Sequence, residues 1–242
     1  MVKLTIDGIQ VEAEKGTSVL HAAESVGIKI PTLCYIKDLL PDGSCRMCMV
    51  EIESRGRTKM ETACTAQVSE GLVVTTNSEK VRNARRNILD MLLSNHKTDC
   101  FSCPSNGDCK LQELCFEYGI ERTTYSGEQT ELPIDDSNKF FTYNPNLCIL
   151  CHRCVNTCHK VVGRGAIDTM ERGFDSAIGT PFHIDWADTN CESCGNCVQA
   201  CPTGALTMKR RKNYRKYQID KKVLTTCPHC ATGCQYYLLV KD

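Results

Sequence analysis

The chain has 242 residues, 29 Lys and Arg balanced by 29 Asp and Glu, and 19 cysteines. Zero formal charge gives nucleic-acid binding no support at the level of the whole chain, and no apolar run approaches the roughly 18 residues that span a membrane. Cysteines grouped in C-x2-C loops point to metal in a reducing compartment rather than to disulfides, so a cytoplasmic protein without direct membrane insertion is expected.

The first residues read as strand, not as an apolar leader. Val2, Leu4 and Ile6 alternate with polar residues, Asp7-Gly8 supplies a tight turn, and Ile9 and Val11 resume the alternation. Thr17 or Ser18 can cap a short helix to about Val26, with Gly27 behind it. Residues 49–53 and 72–75 read as further strands. A hairpin, a helix and more strands predict an α+β fold that begins with a β-grasp domain over 1–76.

Cys34, Cys45, Cys48 and Cys64 of this domain are spaced C-x10-C-x2-C-x15-C. Four thiolates around a β-grasp suit one [2Fe–2S] cluster, although the plant-type pattern has four residues, not ten, between the first two. A structural zinc site is the alternative on spacing alone. Gly43 and Ser44 favour a turn whose N–H groups can bond cluster sulfur. The words Pro31-Thr32-Leu33-Cys34-Tyr35 and Gly43-Ser44-Cys45-Arg46-Met47-Cys48-Met49-Val50-Glu51 resemble the N-terminal domain shared by three groups of proteins. These are the large iron–sulfur subunit of respiratory complex I, NAD-linked hydrogenase subunits and NAD-dependent formate dehydrogenases.

Residues 77–95 predict a helix capped by Ser78. Val81, Ala84, Ile88, Leu89, Leu92 and Leu93 form its apolar face, and Arg82, Arg85 and Arg86 are assigned to the solvated one. His96, Cys100, Cys103 and Cys109 follow as H-x3-C-x2-C-x5-C, with Leu111-Gln112 and Tyr118-Gly119 behind them. The pattern resembles the [4Fe–4S] site of the same family held by one histidine and three cysteines, and it is this resemblance that makes His96 a ligand. A neutral imidazole leaves the site one negative charge short, which should raise its reduction potential. Cys115 fits no ligand slot and is expected to be a buried free thiol. These residues make a helical [4Fe–4S] domain over 77–120.

A polar connector spans 121–147, with Phe140, Phe141 and Tyr143 expected to pack at the start of the next domain. Residues 148–208 carry the most specific motif: Cys148, Cys151, Cys154 and Cys158, then Cys191, Cys194, Cys197 and Cys201-Pro202, each half C-x2-C-x2-C-x3-C. This is the spacing of a bacterial two-cluster ferredoxin, in which the last cysteine of each half ligates the other half's cluster. Cys148, Cys151, Cys154 and Cys201 are therefore assigned to one [4Fe–4S] cluster, and Cys158, Cys191, Cys194 and Cys197 to another. Paired zinc knuckles would have no use for the third and fourth cysteines of each half. The 32 residues between Cys158 and Cys191 contain Gly163, Gly165, Gly173 and Gly179 and should form hairpins or loops.

Lys209-Arg210-Arg211-Lys212 and Arg215-Lys216 read as a solvated linker, with an acidic partner surface as the functional alternative. In the last segment, 209–242, Cys227, Cys230 and Cys234 form C-x2-C-x3-C. They resemble the start of the molybdopterin-dependent formate dehydrogenase catalytic region, where a fourth cysteine follows some two dozen residues on. No further cysteine precedes Asp242. The fourth ligand would come from a longer polypeptide, a partner, a water or Cys115, giving a fourth [4Fe–4S] cluster or another metal; otherwise the segment holds no such cluster.

The sequence thus predicts one [2Fe–2S] and three [4Fe–4S] clusters, with no Gly-rich dinucleotide fingerprint, flavin motif or molybdopterin site. One-electron centres without a two-electron cofactor make a wire. The resemblance implies a flavin-containing, NAD(P)H-binding subunit at one end and a catalytic or ferredoxin-linked redox subunit at the other. The alternative is the iron–sulfur arm of a formate dehydrogenase catalytic subunit.

Overall fold

The computed structural model describes residues 1–209 and 218–241. In β1 (Val2–Ile6), Leu4 and Ile6 turn inward. The chain then reverses through Asp7 and Gly8, at φ of 47° and 83°, into β2 (Ile9–Ala13). Positive φ at both central residues matches the twist of a two-residue hairpin. α1 (Val19–Ser25) is capped by Ser18, whose Oγ accepts the His21 N–H at 3.2 Å. With β3 (Met49–Ser54), β4 (Arg57–Thr62) and β5 (Leu72–Thr75) the sheet runs β2-β1-β5-β3-β4. Only the β1–β5 pair is parallel. Val19, Leu20, Ala22 and Ala23 of α1 pack on Leu4, Ile6, Val50, Ile52 and Val74, which gives a β-grasp core. Strand β4 has no counterpart among the predicted elements. Its sequence, RTKMET, is polar and exposed over its first half at the sheet edge, but it carries the chain back to Cys64.

α2 (Glu79–Ser94) starts at Ser78, whose Oγ accepts the Val81 N–H at 3.2 Å. Val81, Leu89 and Leu93 are buried as predicted. Arg85 corrects the expectation of a solvated side chain. It is 3% exposed, because steps of four residues place it on the same buried row. Its Nη2 donates to the Met49 carbonyl at 2.7 Å and its Nη1 to the Tyr118 hydroxyl at 3.0 Å. The guanidinium therefore ties α2 to β3 and to the residue that ends α3 (Lys110–Glu117). Arg82 and Arg86 are exposed, as expected.

The connector is pinned to α2. Asp90 accepts hydrogen bonds from the Thr123 hydroxyl and the Thr124 N–H, and Asn95 accepts one from the Thr130 N–H. Its last residues enter the next unit, where β6 (Phe141–Tyr143) pairs antiparallel with β9 (Leu206–Met208). Between these strands lie α4 (Arg153–Asn156), a π turn Thr157–Val161, the hairpin β7 (Asp168–Met170)–β8 (Ala177–Gly179), and α5 (Asn196–Ala200). Phe141 and Tyr143 pack against Trp186 at ring-centre distances of 4.9 and 5.1 Å. Phe140, expected to pack there too, is exposed, because successive strand residues face opposite ways.

A separate hairpin, β10 (Lys221–Thr226) and β11 (Gln235–Val240), follows; no strands are predicted there from the sequence. Of the basic run, Lys209 pairs with Asp136 at 3.0 Å, while Arg210, Arg211, Lys212, Arg215 and Lys216 lie outside the described residues. Among the described residues no helix is long and apolar enough to cross a membrane.

Ile6 is fully buried at the centre of the β-grasp. Ile6→Ala is expected to cost about 2–5 kcal/mol. The loss should appear as a lower guanidinium midpoint when strand signal is followed by circular dichroism under anoxic conditions.

Candidate metal centres

The β3–β4 register pairs Met49 with Thr62, so Cys48 and Cys64 flank the mouth of one hairpin, and the Ala63 N–H donates to the Cys48 carbonyl at 2.9 Å. Cys34 and Cys45 come from the loop before β3, and all four cysteines are buried. Their sulfurs fall into two pairs. The Cys45 thiol donates to Cys34 and holds it down to about 5; the Cys64 thiol donates to Cys48 and lowers it. Cys45 and Cys64 are pushed up by the same contacts and by burial. Two pairs of neighbouring sulfurs would suit the two irons of a [2Fe–2S] rhomb, each iron taking one pair. Arg46, at φ 58°, curls the loop so that the Met47 N–H points at Cys45 Sγ, 3.4 Å away.

His96 follows the end of α2 and is 8% exposed. Burial holds its imidazole down to about 4, so the ring is neutral at pH 7. Its Nδ1 is buried without a hydrogen-bond partner. An orphaned ring nitrogen calls for an explanation, and a metal supplies one. A cavity of 750 Å³ opens beside it, lined by His96, Cys100 and Cys109 with Leu93, Leu111 and Cys115. Cys109 is the residue before α3; burial pushes its thiol up, against the opposing pull of the Gln112 and Leu111 N–H groups. Cys115 is buried as predicted, its thiol pushed up to about 11 by burial, yet it borders the same cavity. Cys103 faces Gly204 of the neighbouring unit. A Cβ on Gly204 would stand 2.7 Å from Cys103 Sγ, a contact only glycine avoids.

In the ferredoxin-like unit the structure brings the eight cysteines together in two crossed sets. One small cavity is lined by Cys148, Cys151, Cys154 and Cys201, the other by Cys158, Cys191, Cys194 and Cys197. The two halves share a backbone. Leu150 and Ser193, then His152 and Gly195, occupy matching positions, all with positive φ (50°, 55°, 58° and 76°). These turns aim the Leu150 N–H at Cys148 Sγ and the Ser193 N–H at Cys191 Sγ, each at 3.4 Å, while the Ala166 N–H reaches Cys158 Sγ at 3.3 Å. Burial, reinforced by neighbouring thiols, pushes Cys148 up to about 11 and Cys151 and Cys197 up to about 12. Among the described residues no group of three or more His, Cys, Asp or Glu closes around a single metal ion. A four-iron cluster uses a wider frame, because each thiolate binds a different iron.

Cys227, Cys230 and Cys234 sit at the turn of the β10–β11 hairpin, where the Cys227 N–H donates to the Cys234 carbonyl at 2.8 Å. Cys230 and Cys234 are exposed. Cys115 packs instead with Leu89 and Leu114 under α2 and α3 and is not brought to this turn.

The sites adjoin one another. Cys34, Cys45, Cys109 and Cys151 share one core with Leu33, Leu89 and Ile149. Cys103 packs on the core that holds Cys148 and Cys201, and the Lys110 N–H donates to the Pro202 carbonyl at 2.8 Å. Adjoining cysteine frames with sulfurs set for different clusters define a multi-centre iron–sulfur protein. Family models agree segment by segment. They are a 2Fe-2S iron–sulfur cluster binding domain over 1–79, an NADH-ubiquinone oxidoreductase-G iron–sulfur binding region over 85–124, an NADH-quinone oxidoreductase subunit 3 ferredoxin-like domain over 140–207, and a 4Fe-4S dicluster domain over 190–237.

The chain belongs to the family of iron–sulfur regions shared by NADH-quinone oxidoreductases and NAD(P)-linked hydrogenases. It is 42% identical over 238 residues, 97% of its length, to an NADH-quinone oxidoreductase subunit of Rhizobium meliloti. It is 42% identical over 235 residues, again 97% of its length, to NADPH-Fe(3+) oxidoreductase subunit alpha of Geobacter sulfurreducens. Each match covers 27% of the relative, so the chain spans about a quarter of the length of these curated proteins. A chain in the crystal structure of an NAD+-reducing [NiFe]-hydrogenase in the H2-reduced state is 31% identical, with a TM-score of 0.79 and coverage of 86% of this chain and 88% of that one.

Gly204→Ala should disturb the frame of Cys100, Cys103 and Cys109 more than any other. About four irons per chain, one cubane's content, are expected to be lost, with the [2Fe–2S] electron paramagnetic resonance (EPR) signal intact. Iron analysis and EPR of the reduced protein check this.

Proposed function

We propose that the chain is the electron-transfer region of a multi-subunit oxidoreductase. It relays single electrons between a flavin-containing, NAD(P)H-handling partner and a second redox unit, of hydrogenase, transhydrogenase or electron-bifurcating type. The observation that carries this reading is the sharing of cores: sulfurs assigned to different clusters pack in the same apolar environment, with no other domain between them. The names of the relatives, which pair NAD(P)H with quinone, ferric iron or protons, support the same assignment.

In this reading Cys34, Cys45, Cys48 and Cys64 hold a [2Fe–2S] cluster. His96, Cys100, Cys103 and Cys109 hold one [4Fe–4S] cluster, Cys148, Cys151, Cys154 and Cys201 a second, and Cys158, Cys191, Cys194 and Cys197 a third. Bound clusters supply reversible one-electron chemistry. The chain's part is to fix their spacing, exclude water and direct N–H groups at sulfur. Cys227, Cys230 and Cys234 present three thiols at an open turn and take a further metal only with a fourth ligand from elsewhere.

Anoxic purification of the natural complex is the test. Roughly 14 irons for one [2Fe–2S] and three [4Fe–4S] clusters, with cluster reduction by NADH or NADPH only when a flavin subunit co-purifies, is the expected result. A folded, colourless protein free of acid-labile sulfide would overturn the reading.

Two variants probe the ligand sets. Cys201→Ser should damage the cluster of Cys148, Cys151 and Cys154 and spare that of Cys191, Cys194 and Cys197, as resolved by EPR. His96→Cys adds a negative ligand and should make reduction of its cluster at least about tenfold less favourable, a fall of about 59 mV for one electron. An unchanged redox titration removes His96 from the ligand set.

A further inference from the structure

Arg153 touches the ligand loops of two different centres. It lies between Cys151 and Cys154 at the start of α4. Its Nε donates to the Ala200 carbonyl at 2.6 Å, and its Nη1 donates to the Tyr35 carbonyl at 2.5 Å. Ala200 immediately precedes Cys201, and Tyr35 immediately follows Cys34. One guanidinium thus grips the chain beside a [2Fe–2S] ligand and beside the crossed ligand of the neighbouring [4Fe–4S] set. Both acceptors are neutral, and among the described residues no carboxylate pairs with Arg153. Smaller contacts close the same seam. The Ser44 hydroxyl donates to the Cys151 carbonyl at 3.5 Å, and Asp42 meets the Asn156 amide and, at 3.7 Å, Lys160.

A cluster gains one negative charge with each electron, and two adjacent reduced clusters repel each other. A cation at their seam weakens that repulsion. A planar fork also sets two loops at a fixed separation, as a single ammonium does not. We propose that Arg153 is a positioning residue for electron transfer between the [2Fe–2S] cluster and the cluster of Cys148, Cys151, Cys154 and Cys201, fixing their spacing and easing the reduction of both. This rests on the ligand assignment above.

The test compares full-length wild type, Arg153→Lys and Arg153→Met, purified without oxygen and followed by iron analysis and EPR redox titration. In wild type, reducing the [4Fe–4S] cluster should speed relaxation of the [2Fe–2S] signal. Arg153→Met should keep its iron, lose most of that effect, and make the second of the two reductions about tenfold less favourable. Arg153→Lys keeps the charge without the fork, so its midpoints should stay near wild type while the relaxation effect weakens. Should Arg153→Met lose a cluster, the Lys variant decides on relaxation alone. Wild-type midpoints and relaxation in an iron-replete Met variant, or wild-type relaxation in the Lys variant, overturn the proposal. Wild type without clusters overturns the ligand assignment itself and is told apart by its iron content.

Discussion

Crowded sulfur is the constraint under which most of this chain folds. A thiol buried among other thiols resists ionisation, and the rise of Cys148 to about 11 and of Cys151 and Cys197 to about 12 expresses that resistance. Burial, reinforced by Cys148, Cys151 and Cys201, likewise pushes Cys154 up. Iron reverses the balance, because a thiolate bound to a cation no longer bears an uncompensated buried charge. Binding then drives out protons, and the free energy of binding becomes free energy of folding. Aliphatic side chains such as Leu4, Ile52 and Val74 dominate the β-grasp core, which also includes Cys48 and Cys64. The other two cores likewise include cysteines, Cys34, Cys45, Cys115 and Cys151 in one and Cys154 in the other.

The backbone meets this constraint in part with turns at positive φ. In three C-x2-C loops a residue at positive φ accompanies an N–H turned back onto the preceding sulfur: Arg46 beside the Met47 N–H, and Leu150 and Ser193 with their own. Each such non-glycine residue costs roughly 1–3 kcal/mol of strain, which the rest of the loop must offset. An N–H directed at sulfur stabilises added negative charge and so raises a cluster's potential, whereas burial lowers it. As the proposed ligand, His96 would move its site in the first direction by another route, since a neutral imidazole would take the place of a thiolate. Its ring is buried, with Nδ1 lacking a hydrogen-bond partner.

The cysteine groupings were legible in the sequence because cluster geometry demands particular loop lengths. The crossed grouping of Cys201 with Cys148 and of Cys158 with Cys191 could be read from spacing alone, and the cavity linings agree with it. What escaped were features whose cause lies in another part of the chain. β4 reads as polar loop because it is an edge strand with little apolar alternation. Arg85 looks solvated by residue type, although its place four residues from both Val81 and Leu89 puts it on the buried row. Its carbonyl and hydroxyl partners, Met49 and Tyr118, lie more than thirty residues away on either side. Gly204 passes as an ordinary turn residue after Pro202. Nothing near it in sequence announces that Cys103, a hundred positions earlier, will press against its Cα.

The contacts between cysteine frames fall at two seams. Arg153 and Ser44 lie where the [2Fe–2S] frame meets the Cys148–Cys201 frame, and Gly204 and Pro202 lie where that frame meets the His96 site. The frame of Cys148, Cys151, Cys154 and Cys201 therefore meets one neighbour through Arg153 and Ser44 and the other through Gly204 and Pro202. Electron transfer between fixed centres depends on their separation and on the charge between them. At one seam the chain removes a side chain so that sulfur can approach; at the other it inserts a cation that draws two loops together. Opposite changes in side-chain size thus both bring neighbouring cysteine loops close together. The β-grasp, the helices and the small sheet of β6 and β9 set that spacing to first order, and a few side chains at the seams refine it.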